Sequence, residues 1–213
     1  MHPGINGPKY KDKPAVIMAG SGDVITHQEL NELSNQGAQL FRSLGLKPGD
    51  SLAFMMENHK LFFPIAFAAY RSGLKYTAIS WRLQANEVEY IVKDCGAKVF
   101  ITSKFLEESA KSLVNSLEGV HKFMLDGITD DFKSYETEIN NMPVTPIEDE
   151  CQGAAMLYSS GTTGKPKGVS REVNLSPLPY KAEEDDLGLT RVVQGLYSAD
   201  EDSVYLSPAP LYH

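Results

Sequence analysis

The residues best suited to chemistry are concentrated at positions 159–168, which hold four hydroxyl side chains, three glycines and two lysines. They follow an apolar segment, 153–158, that is predicted to be a short buried strand. A glycine- and hydroxyl-rich turn at a strand end can direct backbone N–H and side-chain O–H groups at one anion. Glycine lets the backbone approach oxygen atoms closely, and lysine supplies charge for a polyphosphate. A phosphate-binding loop is therefore predicted, with the candidate residues Ser159, Ser160, Gly161, Thr162, Thr163, Gly164, Lys165, Lys167 and Gly168.

Two other interpretations of this stretch are a plain surface loop and a Walker-type loop. Runs of Ser, Thr and Gly are often plain surface loops, but this run follows an apolar strand and ends in Pro-Lys-Gly. A Walker-type loop needs a Ser or Thr directly after its Gly-Lys pair. Here Pro166 follows Gly164 and Lys165, so the sequence argues against a P-loop nucleotidase.

The elements that position this loop are predicted from alternating strand and helix patterns. A hairpin is predicted over 15–25, and Thr26 and Glu29 have the spacing of a capping box for a helix that Gly45 ends. Further helices are predicted over 59–72, 87–94, 105–117 and 187–197, and strands over 52–56, 76–79, 98–102 and 122–125. Short apolar strands that alternate with helices indicate βαβ units. The predicted fold class is α/β, with mostly parallel sheets flanked by helices.

The same pattern predicts how the chain is divided. The expected parts are a flexible N-terminal tail over 1–13, a first βαβ subdomain over 14–139, a connection over 140–152 and the start of a second sheet subdomain over 153–213. The acidic runs after the loop are expected to be solvated faces without chemistry. Trp81 and Arg82 are expected to make a structural cation–π contact, and Cys95 is read as a small apolar residue at a helix end.

Composition limits the class of protein. The chain of 213 residues is 42% hydrophobic and 23% charged, which is ordinary for a globular protein. Its formal net charge of −8 argues against a nucleic-acid partner. Two cysteines make no disulfide framework, so a reducing, cytoplasmic location is expected. The most apolar run, 61–70, is shorter than the ~20 residues of a spanning helix, and neither a signal peptide nor a metal site is predicted.

Residues 159–168 resemble the signature loop of the adenylate-forming superfamily, which includes acyl-CoA synthetases, aryl-CoA ligases, luciferases and peptide-synthetase adenylation domains. The family pattern is [Ser/Thr]-[Ser/Gly]-Gly-Thr-Thr-Gly-x-Pro-Lys-Gly, and all ten positions fit it. Segment 79–88 is similar to the family's Asn-Trp-Arg-Leu-Thr-x-x-Glu-Ile run, from which Ser80 and Gln84 depart. The segment 204–213 resembles the family's next core motif, so Tyr212 and His213 are implied to line an acyl-substrate pocket. The alternative for His213 is a frayed chain end.

The resemblance implies an activity. A carboxylate would attack the α-phosphate of ATP, giving an acyl-adenylate and pyrophosphate, and the thiol of coenzyme A would then displace AMP. ATP, Mg²⁺ and coenzyme A are the implied cofactors, and a fatty or other bulky acid is the implied substrate. Alternatives that stay open are an aryl-CoA ligase, another phosphate enzyme such as a kinase, and a non-catalytic anion-binding module.

The resemblance also sets how much of the family is present. The family's adenine- and ribose-binding motifs, its magnesium-holding glutamate and its catalytic lysine lie beyond position 213 in relatives. The chain is therefore expected to be an N-terminal portion that is inactive alone and prone to self-association. Its catalytic lysine is not among these residues.

Overall fold

The computed structural model describes residues 2–159, 166–170, 173–177 and 188–212. The helices are α1 (Pro3–Tyr10), α2 (His27–Ser43), α3 (Phe62–Arg71), α4 (Ala85–Asp94), α5 (Glu107–Leu113), α6 (Tyr135–Asn140) and α7 (Gly188–Tyr197). The strands are β1 (Pro14–Ile17), β2 (Val24–Thr26), β3 (Ser51–Met55), β4 (Lys75–Ile79), β5 (Ala97–Ser103), β6 (His121–Leu125), β7 (Lys133–Ser134), β8 (Cys151–Gln152), β9 (Ala154–Ala155), β10 (Leu157–Ser159), β11 (Lys167–Val169) and β12 (Asn174–Pro177). Short 3₁₀ turns lie on either side of α5.

A six-stranded sheet forms the centre of the fold, in the order β7-β6-β5-β3-β4-β9. Every neighbouring pair of strands in it is parallel. Helices α3, α4 and α5 connect β3 to β4, β4 to β5 and β5 to β6 in turn. This arrangement confirms the predicted α/β fold class.

Alternate residues of the central strands face opposite layers of helices. Leu52 and Phe54 of β3 belong to one core, which they share with α2, α3 and α6. Ala53 and Met55 belong to a second core, shared with α4 and α5. Because helices cover both faces of the sheet, all five residues of β3 are buried, as expected for a central parallel strand.

Helix α2 begins and ends where the sequence predicts. The Thr26 hydroxyl accepts from the backbone N–H of Glu29 at 3.2 Å, and the Thr26 N–H donates to the Glu29 carboxylate at 2.7 Å. These two bonds are the reciprocal capping box. Gly45 follows the helix with φ of +83°, a conformation that favours glycine.

The N-terminal segment differs from the expected tail over 1–13, because the structure has helix α1 there. The His2 ring nitrogen Nδ1 accepts from the N–H of Gly4 at 3.1 Å and caps the helix, and Pro3 occupies its first turn. A Cβ atom added to Gly7 would lie 2.8 Å from Cβ of Asn31 in α2. The missing side chain therefore lets α1 pack closely on α2, an effect that a local reading of a Pro- and Gly-rich segment misses.

The segment 153–158 also differs from the prediction of one strand that opens a second sheet. The structure divides it into β9, which pairs with Lys75 and Tyr76 at the edge of the central sheet, and β10, which pairs antiparallel with β11. Gly153 makes this possible, because a Cβ there would lie 2.9 Å from the carbonyl oxygen of Ala69 and closer still to that of Leu74. Only a glycine lets the chain come this close to the end of α3.

The predicted connection over 140–152 contains a strand at its end. Residues 141–150 run along α2, whose Asn35, Gln36 and Gln39 amides donate to backbone carbonyls of that segment. Cys151 and Gln152 then form β8, which pairs antiparallel with β12. Within the described residues, no helix is both long enough and apolar enough to cross a membrane.

Candidate functional site

Strands β10 and β11 form an antiparallel hairpin around the predicted phosphate loop. The register pairs Leu157 with Val169, Tyr158 with Gly168 and Ser159 with Lys167. Ser159 and Lys167 thus lie opposite each other where the loop 160–166 leaves and rejoins the hairpin. The Ser159 hydroxyl donates to the Lys167 carbonyl at 3.5 Å, and both residues are exposed. An exposed serine and an exposed lysine therefore lie opposite each other at this point.

The structure places only part of the predicted site. Ser159, Lys167, Gly168 and Tyr212 lie among the described residues. The other candidates lie outside them: Ser160, Gly161, Thr162, Thr163, Gly164, Lys165 and His213. The hairpin brings Ser159, Lys167 and Gly168 together, and Tyr212 is positioned by a separate segment.

The inner face of the hairpin is fixed by Tyr158 and Gly168, which are half-buried, whereas the neighbouring positions on both strands are exposed. The Tyr158 hydroxyl donates to the Asp94 carboxylate at 2.6 Å. Burial, together with this hydrogen bond, raises the pKa of Tyr158, so the hydroxyl keeps its proton and stays a donor. A Cβ atom at Gly168 would lie 2.9 Å from Cζ of the Tyr158 ring. Glycine at this position leaves room for the ring.

The segment before the hairpin is joined to α3 and to the central sheet by backbone hydrogen bonds. The N–H of Gly153 donates to the carbonyl of Tyr70 at 2.7 Å, and that of Met156 donates to the carbonyl of Tyr76 at 2.8 Å. Met156 and Tyr158 also pack against the core that α4 and α5 share. The hairpin therefore projects from a fixed part of the fold.

Tyr212 belongs to a segment that contacts Asn58, shortly after the carboxyl end of β3. The Asn58 side chain accepts from the N–H of Leu211 at 3.0 Å and donates to the carbonyl of Ala209 at 3.5 Å. Leu211 packs against the core below it. Asn58 thus binds the backbone on both sides of Pro210 and positions the approach to Tyr212.

The Asn58 contact lies near the point where the topology of the sheet changes direction. Strands β3 and β5 are neighbours, but the helices that follow them pack on opposite faces of the sheet. Ligands of α/β proteins commonly bind at such a point, beyond the carboxyl ends of the strands. Here Ser103, which ends β5, donates to the Glu57 carboxylate that follows β3, at 2.5 Å. Asn58 lies next to this bond.

Residues predicted to be structural have that role in the structure. The Arg82 guanidinium lies 5.2 Å from the centre of the Trp81 ring, which confirms the expected cation–π contact. Burial raises the pKa of the Cys95 thiol, in agreement with its reading as an apolar residue at a helix end.

Asn58, Asp94 and the anchoring role of Tyr158 are not predicted by the sequence patterns described above. Asn58 was detectable in principle, because polar residues directly after a buried parallel strand lie at the edge where α/β proteins bind ligands. The pairing of Tyr158 with Asp94 joins residues 64 positions apart. No local sequence pattern predicts a contact over such a separation.

Comparison with known proteins decides the family. The profile of the family described as AMP-binding enzyme matches residues 6–213. The chain belongs to the AMP-binding enzyme family. A fatty acid–[acyl-carrier-protein] ligase of Streptomyces coeruleorubidus is 30% identical to it over 161 residues, which are 73% of this chain and 29% of that ligase. A feruloyl-CoA synthase of an Amycolatopsis species is 30% identical over 156 residues, 73% of this chain and 30% of the synthase.

The solved structures agree on the fold of this AMP-binding enzyme chain. The crystallised N-terminal domain of FACL13 from Mycobacterium tuberculosis has a TM-score of 0.71 at 20% identity and covers 98% of this chain and 50% of that one. At this identity the match shows the shared fold. The chain spans about three tenths of the curated relatives named above.

Proposed function

We propose that the protein containing this chain is an ATP-dependent acid–thiol ligase, which forms an acyl-adenylate and then transfers the acyl group to coenzyme A. The observation that carries the proposal is the β10–β11 hairpin, which sets Ser159 opposite Lys167 at the two ends of loop 160–166. Membership of the AMP-binding enzyme family supports it. The assignment of phosphate contacts to the loop residues Ser160 to Lys165 is part of the proposal.

In the first step a carboxylate oxygen attacks the α-phosphorus of ATP, and the bond from that phosphorus to the bridging oxygen breaks. Pyrophosphate leaves with the bonding electrons, so negative charge develops on it. Backbone N–H groups of the loop, the Ser159 hydroxyl and the Lys167 ammonium stabilise that charge at the β- and γ-phosphates. In the second step the sulfur of coenzyme A attacks the acyl carbon, AMP leaves, and the thiol proton is released.

The proposal covers the small molecules and the compartment as well. ATP enters as its magnesium complex. In the part of the chain that the structure describes, no three His, Cys, Asp or Glu side chains are grouped to hold a metal ion. A cytoplasmic location is proposed, since a reducing compartment suits the free thiols of Cys95 and Cys151.

The acid is proposed to be a fatty acid or another bulky carboxylic acid. Tyr212, held through the Asn58 contacts to its backbone neighbours, would lie beside the acyl group together with His213. The fatty acid ligase of Streptomyces coeruleorubidus supports this class. An aryl acid is the second candidate, favoured by the feruloyl-CoA synthase relative. Carboxylate-dependent exchange of pyrophosphate into ATP, measured with fatty, short-chain and aryl acids, distinguishes the two.

Lys167→Ala tests the phosphate role. A hydrogen bond to a charged group contributes about 1.5–3 kcal/mol. Because Lys167 is exposed, we expect its contact with phosphate to contribute an energy at the lower end of that range. We expect kcat/KM for ATP to fall about tenfold in the exchange reaction. Thr163→Ala is expected to act in the same direction, and Lys11→Ala, an exposed lysine on another element, serves as the control. Unchanged exchange in both loop variants would contradict the assignment.

The 213 residues alone are expected to fold but not to catalyse the reaction, because the proposed loop binds only the phosphate end of ATP. Calorimetry with Mg-ATP and a pyrophosphate-release assay on this chain measure both properties. Val204, Tyr205 and Leu206 are 84%, 87% and 72% exposed, so self-association is also expected and is measured by light scattering. Micromolar ATP binding with carboxylate-dependent turnover would contradict the proposal that these residues bind only the phosphates of ATP and are inactive alone.

A further inference from the structure

The Tyr158 side chain lies between the hairpin and the helical layer beneath it. Its hydroxyl donates to the Asp94 carboxylate at 2.6 Å, and Asp94 is the last residue of α4. Tyr158 directly precedes Ser159, so it is the last inward-facing residue before the phosphate loop begins. A bond made here acts on the base of the loop.

The opposite strand is adapted to the same ring. Gly168 pairs with Tyr158 across the hairpin, and an added Cβ would lie 2.9 Å from Cζ and 3.0 Å from the hydroxyl oxygen of Tyr158. A larger residue would meet this ring and also Met156, whose Cε would lie closer still. One aromatic side chain therefore contacts both strands of the hairpin.

The acceptor of this bond is held by a rigid part of the fold. Helix α4 buries Val88, Ile91 and Val92 in the core that it shares with α5 and the central sheet. Asp94 itself is exposed at the end of the helix, where its carboxylate reaches the hairpin. The segment before β10 is held by further backbone hydrogen bonds from Gly153, Ala154 and Met156, whereas the Tyr158 bond lies within β10 itself, next to Ser159.

We propose that Tyr158 and Asp94 position Ser159 and Lys167, because their hydrogen bond fixes the base of the hairpin against α4 and so sets where these two residues lie relative to bound ATP. Tyr158 is a positioning residue in this scheme, since it acts through Ser159 and Lys167. The catalytic part of this inference, the positioning of residues for ATP, rests on the proposed function. The anchoring of the hairpin is independent of that function.

The anchoring is tested by hydrogen exchange on the 213-residue chain without ATP. Tyr158→Phe removes the hydroxyl and keeps the ring over Gly168. We expect the amide protons of β10 and β11 to exchange about tenfold faster, with those of β3 and β5 unchanged. Asp94→Ala is expected to have the same effect. Asp94→Asn keeps an acceptor oxygen, so its amide protons are expected to exchange as slowly as in the unaltered protein. The double variant, Tyr158→Phe with Asp94→Ala, is expected to exchange at the same rate as either single variant. Tyr205→Phe, at an 87% exposed tyrosine, is the control.

The positioning role is tested by kinetics of the complete protein. In Tyr158→Phe and Asp94→Ala we expect KM for ATP to rise about tenfold in pyrophosphate exchange, while KM for the carboxylate stays the same. Unchanged hydrogen exchange, or additive effects in the double variant, would overturn the anchor. Faster hydrogen exchange with unchanged KM for ATP would overturn the positioning role and leave the ligase assignment intact. Absence of exchange activity in the unaltered protein would instead overturn the proposed function, and hydrogen exchange would still decide the anchor.

Discussion

Glu150→Ala is expected to lower the free energy of unfolding by about 3–5 kcal/mol, because it leaves a buried guanidinium without its partner. The side chains of Arg71 and Glu150 are 0% and 5% exposed and form an ion pair. Burial lowers the pKa of Arg71 and raises that of Glu150, and the attraction between the two groups opposes both shifts. Arg71 also donates to the Ser34 hydroxyl at 2.7 Å and to Asn31. The pair thereby joins α2, α3 and the residue before β8.

Urea unfolding, followed by circular dichroism and by the fluorescence of the single Trp81, measures the effect. Asp149→Ala is the matched control, because this neighbouring carboxylate is 56% exposed and pairs with Arg42. Its loss is expected to cost about 1 kcal/mol or less. Replacing both members of the buried pair, as Arg71→Met with Glu150→Leu, should recover much of the stability. Equal effects of Glu150→Ala and Asp149→Ala would show that the buried pair does not hold these elements together.

Gly153→Ala is expected to cost about 2–3 kcal/mol, the upper part of the range for overpacked sites. The added Cβ would lie 2.9 Å from the Ala69 carbonyl oxygen and 3.0 Å from the Leu74 nitrogen, and both are backbone atoms that cannot rotate away. The strand β9 would have to move from the sheet edge, which breaks the bond from Gly153 to Tyr70. Because β10 follows directly, the hairpin would also lose protection from hydrogen exchange.

Gly20→Ala is the control for this substitution. A Cβ at Gly20 meets nothing within 4 Å, and its backbone needs no positive φ. Its effect is expected to stay within about 0.5 kcal/mol. Denaturation midpoints of the two variants give the comparison, and a Gly153→Ala variant as stable as Gly20→Ala would mean that β9 is not held at this edge by close backbone packing.

The parts of the fold that local sequence determines were predictable. The capping box at Thr26 and Glu29, the glycine that ends α2 and the buried run of β3 are each set by residues within a few positions of one another. The alternation of these elements was enough to predict a mostly parallel sheet. The loop between Ser159 and Lys167 was located from its residue types, and the hairpin register places both residues where the loop begins and ends.

The parts that depend on distant contacts were not predictable. The segment 153–158 is continuously apolar after its glycine, so no turn signal separates β9 from β10. The division arises from the approach of Gly153 to the end of α3, far back in the sequence. Helix α1 was missed for the same reason, since its close contact at Gly7 is with Asn31 of another element. Likewise, Asn58 contacts a segment about 150 positions away.

The position of β9 has a consequence for synthesis of the chain on the ribosome. Strand β4 is complete at Ile79, but its outer neighbour in the sheet begins only at Ala154. At translation rates of about 5–20 residues per second, that edge stays without its partner for roughly 4–15 s. An open strand edge is a template for pairing with another chain. The nascent protein is therefore open to aggregation through β4 during this interval, which ends when Ala154 and Ala155 leave the ribosome and pair with that edge.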